Sequence, residues 1–176
     1  MRGRRLRQIE DLAMRVLEEA GITSIPVDLN YIAAKYQIKL VGYSLSDDIS
    51  GLLVIKEGQI TIASNDNQSE MRRRFTIAHE LGHYFLAHQR DGLFVDTYKN
   101  DLKLYRNSES STGEILQERE ANAFAAALLM PRHHVKRKIA ELNIDPTSDD
   151  DLSSLAKQFK VSTQAITYRV LNILEL

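Results

Sequence analysis

The sequence predicts an α+β fold in which a small antiparallel sheet packs on helices and further helices follow it. Residues 6–20 place apolar side chains at helical spacing and end at a glycine, which indicates an amphipathic helix. Residues 51–64 form two strand-like runs around a Glu-Gly pair, which is typical of a hairpin. Residues 114–130 are rich in strong helix formers and end before a proline. Strands therefore precede a largely helical half.

The elements between these three follow from local patterns. A short helix over residues 26–37, with Asp28 as its N-cap, leads to a strand over residues 38–44. Phe, Ala and Leu at helical spacing predict a long helix over residues 70–89. Residues 91–113 carry scattered aromatics and a Ser-rich run, which predicts a long connection without regular structure.

The C-terminal part is predicted to be helical throughout. Residues 132–142 form one helix, and residues 151–160 and 163–176 form two short helices with the outline of a helix-turn-helix. No shift in composition marks a boundary between domains, so we expect one domain over residues 1–176.

Composition limits the function classes. An apolar content of 43% with 27% charged residues is ordinary for a soluble protein, and no apolar run is long enough to span a bilayer. Gln8 and Glu10 interrupt the segment that an export signal would need to be apolar, so we expect a cytoplasmic protein. The net charge of −1 gives no general attraction to nucleic acid, and the basic clusters at residues 1–7 and 72–74 are expected to be solvated helix faces. Because the chain has no cysteine, a metal site would have to use His, Asp or Glu.

The segment FTIAHELGHYFLAH, residues 75–88, carries the clearest chemical signal. His79 and His83 are four apart and share a helix face, so both imidazoles can reach one metal ion. Glu80 lies close enough to act as general base toward water activated by that metal, as in zinc hydrolases. Two histidines that merely pack in a helix are the alternative, but the His-Glu-x-x-His pattern arises by chance in only on the order of 1% of such chains.

A third metal ligand is needed, and the remaining histidines are poor candidates. Leu86 and Gln89 replace the Gly and His of a His-x-x-Gly-x-x-His continuation. His88 is expected at the helix end or surface, and His133 and His134 are expected to be exposed among basic residues.

A carboxylate from the helix over residues 114–130 is the remaining source. Glu120 lies at the border of the predicted buried face of that helix, and Glu118 lies near the same face. Small alanines would let this helix pack closely on the one that carries the histidines. Geometry alone leaves both glutamates open. The predicted buried face consists of Ala121, Phe124, Ala125 and Leu128.

Two motifs together resemble the ImmA/IrrE family of zinc-dependent metallopeptidases, which are glutamate-zincins. They are ITIASNDNQSEMRRRFTIAHELGHYFLAH and EREANAFAAALLMP, and the similarity covers a core of about residues 24–135, more loosely residues 136–176. The resemblance implies a zincin-like core in which the glutamate before Ala-Asn, Glu120, is the third ligand and Glu118 a neighbour. For Asn122 it leaves two alternatives open, a contact that supports a metal ligand or a simple amide on the helix surface. Zinc is the expected metal, although manganese, cobalt or iron accept the same ligands.

The resemblance also implies a regulatory role. Similar proteins inactivate a helix-turn-helix repressor of the XRE type by cleavage, which switches on mobile-element transfer or a stress response, and some lie in toxin-antitoxin-like modules. This chain departs from the pattern because His88 lies one residue later than the family's histidine and because the connection over residues 91–113 is long. The strand at about residues 59–64 is expected to offer an edge to an extended substrate.

Two other functions remain open. Thr163, Gln164, Tyr168 and Arg169 could contact DNA from the last helix, although a packing role for the C-terminal helices is favoured. The second alternative is a non-enzymatic protein that binds a repressor and uses zinc structurally. A structural zinc site, however, has no need of a general base such as Glu80.

Overall fold

The computed structural model describes residues 3–88, 92–97 and 113–175. These residues form seven helices and four strands, which confirms the α+β class. Within the described ranges, none of the helices combines the length and the apolar character that a membrane crossing requires. The elements are α1 Gly3–Glu19, α2 Leu29–Lys35, β1 Ile38–Tyr43, β2 Ile49–Lys56, β3 Gln59–Asn65, α3 Glu70–Phe85, β4 Gly92–Thr97, α4 Gly113–Leu129, α5 Arg132–Leu142, α6 Asp149–Phe159 and α7 Thr163–Leu174.

Side-chain caps fix the starts of several helices. The carboxylate of Asp28 accepts a hydrogen bond from the Tyr31 amide at 3.0 Å, which confirms the predicted cap of α2. Ser69 caps α3 in the same way by accepting from the Arg72 amide. The C-terminus of α3 is four residues earlier than the predicted residue 89, because Ala87 adopts a left-handed conformation with φ of 53°.

The sheet has the strand order β1-β3-β2-β4. The β2–β3 hairpin is confirmed, with Glu57 and Gly58 both at positive φ as a tight turn requires. The prediction of a purely antiparallel sheet is wrong, because β1 pairs with β3 in parallel. The predicted substrate edge at residues 59–64 is also wrong, since β3 pairs with a strand on each side. Strand β4 lies within the connection predicted over residues 91–113, and residues 98–112 lie outside the described residues.

A buried asparagine explains the parallel pairing. The segment between β1 and β2 crosses the end of β3, and Asn65 lies under the crossing. The Asn65 amide nitrogen donates to the carbonyls of Leu45, Ser46 and Ile49, and its oxygen accepts from the Leu45 amide. These bonds supply partners for loop backbone groups that would otherwise be buried unpaired. The crossing therefore puts β3 between β1 and β2.

Helices α3 and α4 pack closely at Gly82. A Cβ atom at Gly82 would lie 3.0 Å from the Cα and carbonyl oxygen of Ala121 and 3.3 Å from the Cβ of Phe124. The predicted buried face of α4 is confirmed, since all four of its residues are fully buried. Glycine at this point thus sets the separation of the two helices.

We expect Gly82→Ala to lower the free energy of unfolding by about 1–3 kcal/mol, because the added methyl group forces the two helices apart. Urea denaturation measures the change. Gly3→Ala is the matched control, since Gly3 also lies in a helix but has no atom within 4 Å of the added Cβ. Equal stability of Gly82→Ala and wild type would show that α4 can shift without cost.

The C-terminal helices α6 and α7 pack on the rest of the chain. Ala156 and Ile166 are buried, as the helix-turn-helix outline predicts. Arg169 pairs with Glu10 of α1 and donates to the carbonyl oxygen of Met130 at 2.9 Å. The main cation of α7 is therefore engaged within the protein, which favours the packing role.

His134 corrects another prediction, because it is buried rather than exposed. Its Nδ1 atom accepts a hydrogen bond from Arg137 at 2.9 Å. Burial, together with the nearby charges of His133, Arg137 and Lys138, lowers the pKa of His134 to about 4. The basic run suggested exposure, but on α5 His134 lies beside buried Val135 and points inward.

The low pKa of His134 predicts that acid destabilises the fold. The unfolded chain takes up a proton on His134 near pH 6.5, and the folded protein takes it up only near pH 4, so stability falls as the pH drops between these values. The expected loss from this group between pH 7 and pH 5 is about 2 kcal/mol. Urea denaturation of wild type and His134→Gln at both pH values isolates the contribution. The exposed neighbour His133→Gln should retain the wild-type pH dependence, and an equal loss in His134→Gln would contradict the prediction.

Candidate metal centre

The two histidines of the His-Glu-x-x-His segment face one another on α3. The Nε2 atoms of His79 and His83 lie 2.9 Å apart, and the side chains of His79, Glu80 and His83 are at most about 3% exposed. Their helical spacing produces this approach, as the sequence predicts. Both imidazoles therefore direct the same ring nitrogen at one point.

Glu118 of α4 brings the carboxylate to this pair. Its Oε2 lies 3.3 Å from Nε2 of His79, and its Oε1 lies 3.2 Å from Nε2 of His83. Adjacent ligands about 2.0–2.1 Å from a tetrahedral zinc ion are about 3.3 Å apart, so these separations fit a shared ion. Within the described residues, His79, His83 and Glu118 are the one group of His and acidic side chains that could hold a metal in this way.

Glu120 is elsewhere, although the resemblance implied that it would be the ligand. Both of its oxygens accept from Arg5 of α1, at 2.7 Å from Nε and 2.5 Å from Nη2. Its Oε2 is also 3.1 Å from Nε2 of His88. Side chains two residues apart on an α-helix point in directions about 200° apart, so Glu118 and Glu120 cannot both face the histidine pair. The geometry therefore favours Glu118 over Glu120 as the candidate ligand.

His88 lies just beyond the end of α3, which fits the predicted helix-end position, but it is not at the surface, because its side chain is only 6% exposed. The turn after α3 directs the ring back toward the site, where its Nδ1 lies 3.2 Å from Nδ1 of His83. Burial lowers the pKa of His88, and the hydrogen bond to Glu120 offsets part of this effect. His88 was expected at the helix end or surface because it lies five residues after His83, on a different side of the predicted helix and near its end, and no sequence signal marks the turn.

Asn122 fixes the orientation of His79. Its Oδ1 lies 2.8 Å from Nδ1 of His79 and accepts the proton there, because an amide oxygen cannot donate. His79 is then left with a lone pair on Nε2, the atom that faces His83 and Glu118. This is the arrangement in which histidines bind metals, and it favours the supporting role for Asn122 over that of a simple surface amide.

The Glu80 side chain lies between α3 and the sheet. Its Oε1 is 3.5 Å from where a Cβ of Gly51 would be, and the methyl group of Thr76 is closer still. A register shift between Ile49 and Gly51 bends β2 against β4 at this point. Glycine in β2 therefore makes room for the Thr76 methyl group, and the Glu80 carboxylate lies in ordinary contact distance beside it.

The electrostatics of the site favour ionised carboxylates. Burial raises the pKa of Glu118, but the hydrogen bonds and positive charge that His79 and His83 supply when they are protonated lower it by more, so the net pKa lies well below the usual range. Glu118 is also 23% exposed, and thus less enclosed than either histidine. The Arg5 guanidinium lowers the pKa of Glu120. Both glutamates are therefore anions at neutral pH.

A pair of imidazoles and a carboxylate on two packed helices, with a second glutamate next to the first histidine, defines a site of the metal-dependent hydrolase class. The family model for M78 peptidases, described as the IrrE N-terminal-like domain, matches residues 33–171. The chain belongs to this family, in agreement with its resemblance to ImmA/IrrE proteins. Family membership supports a metallopeptidase-type function.

A solved structure provides a second comparison. A Mycobacterium tuberculosis transcriptional regulator matches 94% of this chain with a TM-score of 0.65 and 18% sequence identity, which shows a shared fold. This chain spans 46% of the length of that regulator. No curated protein matches the sequence at a significant level.

Proposed function

We propose that this protein is a zinc-dependent peptidase in which His79, His83 and Glu118 hold the metal and Glu80 is the general base. The observation that carries the proposal is the convergence of two imidazole nitrogens and one carboxylate within 3.3 Å of one another, with Glu80 adjacent on the same helix. A bound zinc ion would supply a polarised peptide carbonyl and an activated water.

The protein side chains would transfer the proton and orient the metal ligands. Glu80 accepts the proton of the attacking water and returns it to the leaving amine. Asn122 keeps His79 in the tautomer that presents Nε2. Because the side chains of His79, Glu80 and His83 are almost fully buried and that of Glu118 is less so, the substrate is expected to approach from the Glu118 side.

The family resemblance favours a regulatory protein as the substrate. The proposed reaction is a limited cut in a cognate XRE-type repressor, as the ImmA/IrrE resemblance implies, and the protein would act in the cytoplasm. Direct DNA binding through α7 is less favoured, because Arg169 is already paired with Glu10 and α6 begins with Asp149, Asp150 and Asp151, which would repel phosphate.

The test is incubation of an XRE-type repressor encoded beside the gene with the protein, followed by gel analysis and mass spectrometry. Zinc and manganese are supplied in separate reactions, and a chelator is added to a third. A single cut by wild type that the chelator abolishes would support the proposal. Stable binding of the repressor without a cut under either metal would favour the non-enzymatic alternative.

A further inference from the structure

A chain of polar contacts connects the N-terminal helix to the metal centre. Arg5 of α1 donates two hydrogen bonds to Glu120, Glu120 contacts Nε2 of His88, and Nδ1 of His88 contacts Nδ1 of His83. The side chains of Glu120 and His88 are 7% and 6% exposed, so water competes little for these bonds. Three side chains, from α1, α4 and the turn after α3, thus form a series of contacts that ends on His83, a proposed ligand on α3.

The direction of each hydrogen bond in this series of contacts can be worked out from Arg5, the residue at its start. Arg5 can only donate, so Glu120 accepts from it and is an anion. An anionic Glu120 must also accept from His88, so in the neutral imidazole the His88 proton is on Nε2 and Nδ1 is left as an acceptor. His83 must then donate from Nδ1 to His88, and its Nε2 lone pair is left facing His79 and Glu118.

We propose that Arg5, Glu120 and His88 are positioning residues that hold His83 in the orientation and tautomer needed for metal binding. Metal-binding histidines usually donate their second nitrogen to a carboxylate or carbonyl. Here Asn122 accepts this hydrogen bond directly from His79, and Glu120 serves as the acceptor for His83 through one intervening imidazole, that of His88. The inference rests on the proposed function only in that His83 is taken to bind a metal.

Substitutions at His88 separate positioning from simple packing. His88→Phe keeps a buried ring but removes the acceptor for His83. His88→Asn places an amide oxygen near the position of Nδ1 and so restores that acceptor, although it breaks the link to Glu120. Zinc affinity, measured at pH 7.5 by competition with a chromophoric chelator, is expected to fall about 10–100-fold in His88→Phe and to recover in part in His88→Asn.

A second pair of variants tests the outer members of the chain. Glu120→Gln keeps the shape of the side chain and removes its charge, and Arg5→Gln removes both donors to Glu120. Each is expected to weaken zinc binding by about tenfold or less, since each acts through more bonds than His88. Arg4→Gln is the matched control, because Arg4 is an exposed neighbour of Arg5 on α1 with the same charge. Its zinc affinity should equal that of wild type.

The thermal midpoint of each metal-free variant is measured alongside. A role limited to docking α1 on α4 predicts lower midpoints with unchanged zinc affinity, which would overturn the proposal. Equal losses of affinity in His88→Phe and His88→Asn would also overturn it. If His88→Phe does not fold, the comparison of Glu120→Gln with Arg4→Gln decides.

The outcomes also separate this inference from the proposed function. Wild type that binds zinc but cuts no repressor would contradict the peptidase proposal and leave the positioning chain in place. If wild type cleaves the repressor and both His88→Phe and Glu120→Gln keep wild-type zinc affinity, the peptidase proposal is supported and the proposed positioning role of Arg5, Glu120 and His88 is rejected.

Discussion

Glu118→Gln is expected to weaken zinc binding by about 100-fold, because binding of about 10–16 kcal/mol in structural sites with four protein ligands corresponds to roughly 3 kcal/mol for each ligand. The amide keeps the shape of the side chain but loses the charge that faces His79 and His83. Zinc affinity is measured by chelator competition, and repressor cleavage is expected to be lost at zinc concentrations that saturate wild type.

Glu120→Gln is the decisive control for this prediction, because it lies two residues away on the same helix and makes the same chemical change. The structure predicts a much smaller loss of affinity for it, since Glu120 contacts Arg5 and His88, whereas Glu118 contacts the Nε2 atoms of His79 and His83. A larger loss in Glu120→Gln than in Glu118→Gln would restore the ligand that the family resemblance implied.

Glu80→Gln is expected to lower the rate of repressor cleavage by about 10²–10⁴-fold, the usual contribution of a general base. Zinc affinity should be unchanged, because the three proposed ligands are intact. Glutamine fills the same space beside Gly51, so the fold should also be retained. Single-turnover cleavage and chelator competition on the same preparation measure both quantities.

Glu18→Gln is the control for this substitution, because Glu18 is an exposed glutamate on α1 and should leave the rate unchanged. A Glu80→Gln protein that retains more than about a tenth of the wild-type rate would assign the proton transfer to another group. Weaker zinc binding in Glu80→Gln would instead place Glu80 among the metal ligands.

Local patterns predicted most of the helices and the convergence of the histidines. Asp28 could be identified as a cap, and the spacing of His79 and His83 determined their common face. Both depend on contacts within one helical turn, so a single stretch of sequence contains the information. The buried face of α4 was predictable for the same reason.

The choice between Glu118 and Glu120 needed three-dimensional information. It depends on the rotation of α4 against α3, which the contact of Gly82 with Ala121 fixes. It also depends on Arg5, more than a hundred residues away in sequence, which forms hydrogen bonds with Glu120. The parallel pairing of β1 with β3 was missed for a related reason. It depends on Asn65 holding a loop across the strand end, and an asparagine at that position is equally typical of an ordinary turn.

The turn between β2 and β3 offers a practical place for a reporter group. Glu57 is exposed and has a left-handed backbone conformation, and no atom lies within 4 Å of a Cβ added at Gly58. Gly51, near Glu80, lies six residues before Glu57 along β2, a distance of about 20 Å in an extended strand. Since the chain contains no cysteine, Glu57→Cys would accept a single fluorophore there without touching the metal ligands. Binding of a repressor could then be followed independently of its cleavage.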